Sequence, residues 1–229
     1  MKDKDFVIEN GVLDEYNGNE SDVVIPNSVK RIGECAFYNC RNLTSIKIPS
    51  IVTSIDYCAF EECRNLSSIN IPDSLTWIGR GAFRSCYNLT KIKIPSSVTF
   101  IGEDAFLRIK TIKRPHPIDG KLIAYKAFNK DWTCRGFKYE IGKSYHQDGL
   151  IFCCYNGFHA CLNPLDIFIY YYGYLSELHF AEVELSGKTH ESKNGHDTKV
   201  AASDIRIIRE LTATELAEIY NNMEKEYER

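Results

Sequence analysis

The sequence predicts an α+β protein in two parts: an N-terminal repeat solenoid with a parallel strand ladder, and a small mixed α+β domain that ends in a helix. The first observation behind this is an apolar pattern that recurs every 23 residues through the first half of the chain. The second is the loss of that period in the second half, where strand-like and helix-like segments follow one another. With 229 residues, 44% of them hydrophobic, the chain can build two cores.

Four Ile-Pro pairs mark the repeat, and other apolar positions share their register. A unit this short cannot bury its own apolar face, so successive coils must stack and share one core. The main matching sets are Ile25, Ile48, Ile71 and Ile94; Ile32, Ile55, Ile78 and Ile101; Phe37, Phe60, Phe83 and Phe106; and Cys40, Cys63 and Cys86.

Each coil is expected to contain one short strand, because apolar and polar residues alternate from Ser45 to Ile48. The proline that follows withholds an amide hydrogen and ends the strand. The Ala-Phe pair of each coil should pack inward and form a stacked phenylalanine spine. Turns with positive φ are expected at Gly33, Asp56, Gly79 and Gly102, and a spacer position at Cys35, Cys58, Gly81 and Asp104.

Nine cysteines would suit a disulfide-rich protein, but three observations argue against that interpretation. The number is odd, the start of the chain does not read as a secretory signal, and several cysteines follow the repeat. Cys40, Cys63 and Cys86 are therefore interpreted as small buried side chains, one per coil, and not as a metal or redox array. A cytoplasmic location follows as an expectation.

The segment IPNSVKRIGECAFYNCRNLTSIKIP resembles the BspA-like class of bacterial leucine-rich repeats, with its Ile-Pro, Ala-Phe, Cys and Asn-Leu signature. NGVLDEYNGNESDVVIP is similar to the atypical first coil of that family, so the resemblance covers residues 6–113. It implies a right-handed solenoid that binds other proteins. Family members are mostly surface or secreted proteins, and this chain departs from them by showing no export signal.

The exposed strand positions form the predicted protein-binding face. The side chains placed there are Ser45, Lys47, Ser68, Asn70, Lys91 and Lys93. The alternative is a solvated sheet face that is kept polar for solubility. Nucleic acid is not expected, because residues 1–113 carry 14 basic and 14 acidic side chains. A membrane partner is not expected either, because no apolar run approaches about 18 residues.

The period ends after Leu107, and the domains are predicted as residues 1–113 and 114–229. Strands are expected in LIAYKAF, in TCRGFKYEIG, in HFAEVELSG and in KVAASDIRIIREL, with a polar loop at Lys188–Thr198 between the last two. Asn163 caps a predicted helix at Pro164–Tyr172. Thr212 and Glu215 form a capping box, and an apolar stripe follows at Leu216, Ile219, Tyr220, Met223 and Tyr227. The second domain is also expected to cap the last coil.

The second half resembles an uncharacterised domain of phage and gut-bacterial proteins. The resemblance rests on CRGFKYEIGKSY, GFHACLNPLDIF, FAEVELSG and IRIIREL, within residues 122–216. That family implies no established activity. The domain's chemistry therefore has to be judged from its own residues.

The cysteines of this half suggest two kinds of site. Cys153, Cys154, His159 and Cys161 could bind a metal, but adjacent cysteines on a strand point to opposite faces, so no metal site is predicted. His159 with Cys161 or Cys134 could form a thiol nucleophile, but no orienting group follows from the sequence. The tyrosines from Tyr170 to Tyr174 are interpreted as part of a helix that packs through one side, with their hydroxyl groups reaching solvent.

The alternative function is an NAD-dependent enzyme that resembles the ADP-ribosyltransferases, with the repeats as a targeting arm. The resemblance implies roles for Arg135, His159 and a late glutamate, namely Glu182, Glu184 or Glu210. The serine-threonine-serine run and paired glutamates of that superfamily are missing. No phosphate loop, two-histidine metal pair or serine elbow occurs. A protein-binding module that needs no cofactor is the preferred interpretation.

Overall fold

The computed structural model describes residues 3–109, 119–192 and 197–227. The chain divides into two compact units: the repeat unit, which is Met1–Thr111 with Tyr172–Tyr174, and the C-terminal unit, which is Ile112–Tyr171 with Leu175–Arg229. The predicted boundary near residue 114 lies outside the described residues.

The strands have two to five residues in the repeat unit and two to 14 residues in the C-terminal unit. In the first they are β1 (Phe6–Glu9), β2 (Val12–Tyr16), β3 (Asp22–Val24), β4 (Arg31–Ile32), β5 (Ser45–Lys47), β6 (Ser54–Ile55), β7 (Ser68–Asn70), β8 (Trp77–Ile78), β9 (Lys91–Ile92) and β10 (Phe100–Ile101). Further along the chain they are β11 (Leu122–Asn129), β12 (Thr133–Cys134), β13 (Phe137–Lys138), β14 (Ser144–His146), β15 (Phe158–Cys161), β16 (Gly173–Tyr174), β17 (Leu178–Glu191) and β18 (Lys199–Leu211). One α-helix, α1 (Ala213–Tyr227), follows.

The repeat unit is a solenoid with two strand ladders. The predicted ladder is present as the parallel sheet β3-β5-β7-β9, here called the polar ladder. A second ladder, β2-β4-β6-β8-β10, is also parallel and runs through the register of Ile32, Ile55, Ile78 and Ile101. Here β1 pairs antiparallel with β2 at one edge, and β16 pairs antiparallel with β10 at the other. Each coil therefore holds two strands, one more than the sequence pattern predicts.

The predicted phenylalanine spine is confirmed. Ring centroids of Phe37 and Phe60 lie 5.0 Å apart, and the next two steps, to Phe83 and Phe106, are 5.5 and 5.7 Å with nearly parallel rings. Tyr16 continues the spine, 5.1 Å from Phe37. All four phenylalanines are almost fully buried, so aromatic stacking and apolar burial act at the same positions.

The predicted burial of the repeat thiols is confirmed for Cys63 and Cys86, which also make hydrogen bonds, whereas Cys40 is half-buried. The Sγ atoms of Cys63 and Cys86 donate to the carbonyl oxygens of Phe37 and Phe60, at 3.0 and 3.1 Å. Burial raises the pKa of the Cys86 thiol well above its usual range. Cysteine therefore suits a slot that needs a small apolar side chain with one weak donor.

The turn prediction was wrong at the glycine register. Gly33, Gly79 and Gly102 do not have positive φ. Instead, a Cβ on Gly79 would lie 2.5 Å from the carbonyl carbon of Asp56 in the preceding coil, so glycine is needed for close approach of two backbones. Positive φ occurs in the register interpreted as a spacer, at Cys35, Cys58, Gly81 and Asp104.

In the C-terminal unit, the sheet closes on itself. Strand β11 pairs with β17 and β15, and β18 pairs with both of those strands and with β14. The core inside contains Phe128, Phe158, Val183, Leu185 and Ile207, all buried. Closure brings residues from distant parts of the chain to one wall of the sheet.

The prediction of a single strand in the segment TCRGFKYEIG was wrong. The segment contains a tight hairpin of β12 and β13. Arg135 and Gly136 are the two central residues of its turn, with φ of 51° and 76°. Two successive positive φ values are typical of a type I′ turn, which suits a two-residue hairpin. The alternating pattern did not reveal the turn, because arginine is uncommon at its first position.

The remaining elements agree with the prediction in kind and differ in length. A 3-10 helix spans Pro164–Ile169, three residues shorter than expected, with Asn163 Oδ1 accepting from the Leu165 amide at 3.0 Å. Strand β17 continues to Glu191, into the expected loop at Lys188–Thr198.

The terminal helix α1 starts at the predicted capping box. The Glu215 amide donates to Thr212 Oγ1 at 3.1 Å, and the Thr212 amide donates to Glu215 Oε2 at 2.7 Å. In the apolar stripe Leu216, Tyr220 and Met223 are buried and Ile219 is half-buried, whereas the side chain of Tyr227 lies outside the described part of the chain.

Candidate functional site

The predicted protein-binding face lies on the polar ladder. Cross-strand register places Ser45, Ser68 and Lys91 in one row, and Lys47 beside Asn70 in another. Ser45 and Ser68 are half-buried and the other members are exposed. Lys93 follows β9 and pairs with Asp73, Nζ to Oδ1 at 2.7 Å. The rows are polar and carry both positive charge and hydrogen-bonding groups.

The second ladder carries an aromatic cluster that sequence reasoning missed. Trp77 and Phe100 occupy neighbouring rungs, and their ring centroids are 3.6 Å apart with an interplanar angle of 3°. Tyr174 meets Phe100 edge-on at 5.3 Å. Both stacked rings are half-buried, unlike the enclosed phenylalanine spine. The available signal was the register: Trp77 and Phe100 fall in the row of Arg31 and Ser54.

Charged side chains border the aromatic cluster. Arg31 pairs with Asp56, and Arg80 Nε lies 3.0 Å from Glu103 Oε2. These residues and both rings line a shallow groove with a volume of about 440 Å³. The two arginines are exposed, whereas Asp56 is buried and Glu103 is half-buried. Charges at such a surface can orient a partner.

A second cavity, also about 440 Å³, lies in the C-terminal unit and is here called the cationic pocket. Lys126 comes from β11, Arg135 from the hairpin turn, His159 from β15 and Lys199 from β18. The closed sheet thus brings together the predicted Arg135 and His159 and adds two lysines that the sequence did not single out.

Lys126 is the most deeply buried cation in the part of the chain that the structure describes. Its side chain is on β11, and the residue is only 5% exposed. The ammonium donates to the His159 carbonyl oxygen at 2.9 Å and lies 3.3 Å from Cys134 Sγ. Burial lowers the pKa of Lys126, because the charged form loses its water.

His159 faces the pocket as a neutral imidazole. Its Nε2 atom accepts a hydrogen bond from the Cys154 amide at 2.9 Å. Burial first, and then the nearby cations Arg135 and Lys126, lower the pKa of His159 to about 4. The ring therefore contributes shape and polarity to the pocket without adding charge.

The late glutamates do not join Arg135 and His159. Glu182 Oε2 pairs with Arg209 Nη2 at 2.9 Å, Glu184 with Lys121 at 3.1 Å, and Glu210 Oε1 with His179 Nδ1 at 2.5 Å. None of the three carboxylates lines the cationic pocket among the described residues. The arrangement of arginine, histidine and glutamate in the alternative function is therefore not assembled here.

The cysteines near His159 do not form a cluster of ligands. The Cys153 amide donates to His190 Nδ1 at 3.1 Å, Cys154 is exposed, and Cys161 is buried. Within residues 3–109, 119–192 and 197–227, no three His, Cys, Asp or Glu side chains are placed to hold a metal ion. Cys134 Sγ lies 2.8 Å from the Tyr171 hydroxyl, so its neighbour is a phenol, not an imidazole.

Stacked coils with two parallel ladders define a solenoid repeat protein. The comparison with known families makes this specific: residues 8–134 match the BspA type leucine rich repeat region in 6 copies. The chain belongs to the BspA-type leucine-rich repeat family. Residues 122–219 match a domain of unknown function, DUF7666.

Solved structures of bacterial leucine-rich repeat proteins are similar to the repeat region. A T. pallidum protein is 26% identical over 46% of this chain and 65% of its own, with a TM-score of 0.39. A Bacteroides ovatus protein is 35% identical over 44% of this chain and 29% of its own, with a TM-score of 0.39. The chain thus spans 65% and 29% of the lengths of these two proteins. No curated protein matches the chain significantly.

Leucine-rich repeat proteins are generally protein-interaction modules. Among the described residues, no helix has both the length and the apolar character needed to span a membrane.

Proposed function

We propose that this protein is a protein-interaction module whose repeat unit binds a partner protein through the side chains exposed on its two strand ladders. The aromatic cluster on the second ladder is the observation that carries the proposal. Tryptophan, tyrosine and arginine dominate the energetics of protein interfaces, and they act best at the centre of a patch with a polar rim.

The cluster has the composition of such a patch. Trp77 and Phe100 present stacked, half-exposed rings, and the Arg31–Asp56 and Arg80–Glu103 pairs flank them. A folded partner that covers the rings would remove apolar surface from water, at about 25 cal/mol per Å². The paired charges would remain at the rim and favour one orientation.

The polar ladder offers a second, weaker surface within the same proposal. Ser45, Lys47, Ser68, Asn70, Lys91 and Lys93 supply donors and positive charge but no aromatic anchor. We propose that this face contributes hydrogen bonds and electrostatic attraction to an acidic partner surface. Its contribution should depend on salt, because exposed charges are screened within about 10 Å at 0.1 M ionic strength.

A cytoplasmic location is part of the proposal. It is supported by the nine cysteines, none of which is in a disulfide. Unpaired thiols in this number suit a reducing compartment.

The test is affinity capture from cells that express the protein, with quantitative mass spectrometry of what each variant retains. Trp77→Ser replaces the tryptophan with serine, the residue that Ser54 already supplies at the equivalent position of the neighbouring strand. We expect a partner retained by the wild type to fall at least about tenfold in recovery, the effect of losing one interface anchor of about 1.4 kcal/mol. A Lys47→Glu, Lys91→Glu double variant tests the polar ladder.

Tyr38→Ser is the matched control, because Tyr38 is an aromatic residue that is 53% exposed and lies outside both ladders. A partner lost with Trp77→Ser and kept with Tyr38→Ser supports the aromatic cluster as the anchor. A partner lost only with the lysine variant assigns binding to the polar ladder. Equal recovery by all variants would contradict the proposal.

A further inference from the structure

The cationic pocket has a single sign of charge. Lys126, Arg135 and Lys199 line it, and no aspartate or glutamate among the described residues does so. No described carboxylate forms an ion pair with any of the three. The whole chain has a formal charge of −3, so this local excess is not a consequence of composition. A concave site with one sign of charge attracts ligands of the opposite sign.

Lys126 gives the strongest reason to expect a bound anion. The Lys126 ammonium is 5% exposed, and its partners are a carbonyl oxygen, a thiol and the rings of Phe128 and Tyr139. Burying it is costly, because none of these partners carries a full negative charge. Buried charges in proteins are normally paired. Among the described residues that line this pocket, none supplies a carboxylate as the counter-charge, and a bound anion would supply it.

Arg135 adds a second, independent observation. It adopts φ of 51° at the first central position of the β12–β13 turn, where asparagine or glycine is favoured. A left-handed conformation costs an arginine about 1–2 kcal/mol. Strain of this kind is typically kept where the side chain has a role, and here the residue lines the pocket.

Aromatic side chains also line the cavity, together with the amides of Gln147 and Asn156. Tyr139, Phe158 and Tyr170 line the cavity, and Lys199 Nζ lies 3.9 Å from the centroid of the Tyr170 ring. Flat apolar walls favour a planar ligand, and Lys199 holds its positive charge over the face of the Tyr170 ring. The volume of about 440 Å³ is within the range of small-molecule sites.

We propose that the cationic pocket binds a small organic anion in which a phosphate or carboxylate group is attached to a planar ring. The anionic group pairs with Lys126 and Arg135, and the ring packs between the aromatic side chains. The neutral His159 borders the ring as a polar neighbour. This site is independent of the protein-binding surfaces of the repeat unit.

Isothermal titration calorimetry on the full chain tests the proposal with two anions and their uncharged counterparts. Adenosine monophosphate and adenosine form one pair, and indole-3-acetate and indole-3-acetamide form the other. We expect at least one anion to bind at millimolar or lower concentration, and its uncharged counterpart to bind at least about tenfold more weakly. The pair that responds identifies the group as phosphate or carboxylate.

Two variants separate binding from folding. Arg135→Asn gives the turn its favoured residue, and Lys126→Met replaces the buried ammonium with an apolar side chain of similar length. We expect both to keep or raise the melting temperature while lowering anion affinity at least about tenfold. Lys138→Gln is the control, because it removes one positive charge from the same hairpin at an exposed residue that does not line the pocket.

Four outcomes would overturn the proposal: binding of neither anion, equal binding of charged and uncharged ligands, an equal loss of affinity in Lys138→Gln, and binding of inorganic phosphate alone as tight as that of adenosine monophosphate. A lower melting temperature together with unchanged affinity in both variants would assign Lys126 and Arg135 to structure alone.

Discussion

At the residue scale, Asp166 is an acid whose burial and hydrogen bonds act in opposite directions. It is 6% exposed, in the 3-10 helix of the C-terminal unit. Its carboxylate accepts from the Thr198 amide at 2.7 Å, from Thr198 Oγ1 at 2.8 Å and from Asn163 Nδ2 at 3.0 Å. Burial is the larger effect and raises the pKa of Asp166 from 3.8 to about 7.

The raised pKa makes stability depend on pH in a defined direction. The folded state holds the proton more tightly than the unfolded chain, so this contribution to stability is complete below the unfolded pKa of 3.8 and is lost as pH rises through about 7. Asp166→Asn cannot titrate. We expect the free energy of unfolding of the wild type, relative to Asp166→Asn, to fall by up to about 4 kcal/mol from about pH 4 to about pH 8.

Urea unfolding at a series of pH values measures this difference. Asp14→Asn is the control, because it makes the same substitution at an exposed position on β2. His159 acts in the opposite direction, because its lowered pKa of about 4 makes the folded state lose stability as pH falls below 6.5. Parallel profiles for the wild type and Asp166→Asn would show that folding does not raise the pKa of this carboxyl group.

At the element scale, the coil is held to its neighbour by side chains that donate to carbonyl oxygens one repeat away. Thr76 and Thr99 donate to the oxygens of Thr53 and Thr76, each at 3.1 Å, on one side of the coil. The Cys63 and Cys86 thiols do the same inside the core. The residue at each of these repeat positions therefore has two functions. Its side chain fills a space of fixed size, and it donates a hydrogen bond to the preceding coil.

The glycine register tests how closely the coils approach. A Cβ on Gly79 would lie 2.5 Å from the Asp56 carbonyl carbon and 2.7 Å from the Tyr57 amide nitrogen, and both are backbone atoms that cannot rotate away. We expect Gly79→Ala to lower the free energy of unfolding by about 2–3 kcal/mol, the cost of overpacking. Urea unfolding followed by circular dichroism measures the loss.

Gly81→Asn is the matched comparison two residues away. Gly81 has φ of 62°, a conformation that asparagine tolerates, and the equivalent residues Cys58 and Asp104 already carry side chains there. We expect its cost to be below about 1 kcal/mol. Equal losses in both variants would mean that backbone conformation, and not the distance between coils, explains the glycines.

The sequence predicts the repeat elements better than those of the C-terminal unit. Period and register place the phenylalanine spine, the polar ladder and the thiols, because every coil repeats the same environment. In the second ladder β4, β6, β8 and β10 have only two residues each, too few for alternation to show. The β12–β13 hairpin was missed because Arg135 occupies a turn position where asparagine or glycine is the usual signal.

At the scale of the whole molecule, the two candidate sites are formed in different ways, one by the repeat and the other by closure of the sheet. The aromatic cluster comes from one register of the repeat, so its residues could be found in the sequence as one column. The cationic pocket joins β11 and the adjacent β12–β13 turn to β15 and the start of β18, which lie further along the chain. Lys126 lies in an apolar strand, and only closure of the sheet shows that it is buried beside Arg135.

The reactivity of the nine thiols tests which cysteines are accessible to solvent in the folded chain. Cys35 and Cys154 are exposed and Cys40 is half-buried, whereas the other six are buried. We expect Ellman's reagent to modify Cys35 and Cys154 first in the native protein, and all nine thiols only after unfolding without reductant. Burial and Glu34 raise the pKa of Cys35, which should slow its reaction by lowering the thiolate fraction.

Single variants assign the two fast phases, since Cys35→Ser and Cys154→Ser should each remove one of them. Ser replaces the thiol without changing either exposed site greatly in size. Early modification of Cys63 or Cys86 would mean that the coils open faster than the reagent reacts, because these thiols are fully buried in the stack. Fewer than nine reactive thiols in the unfolded, unreduced protein would reveal disulfides. That result would indicate an oxidising compartment and would contradict our interpretation that all nine cysteines are free.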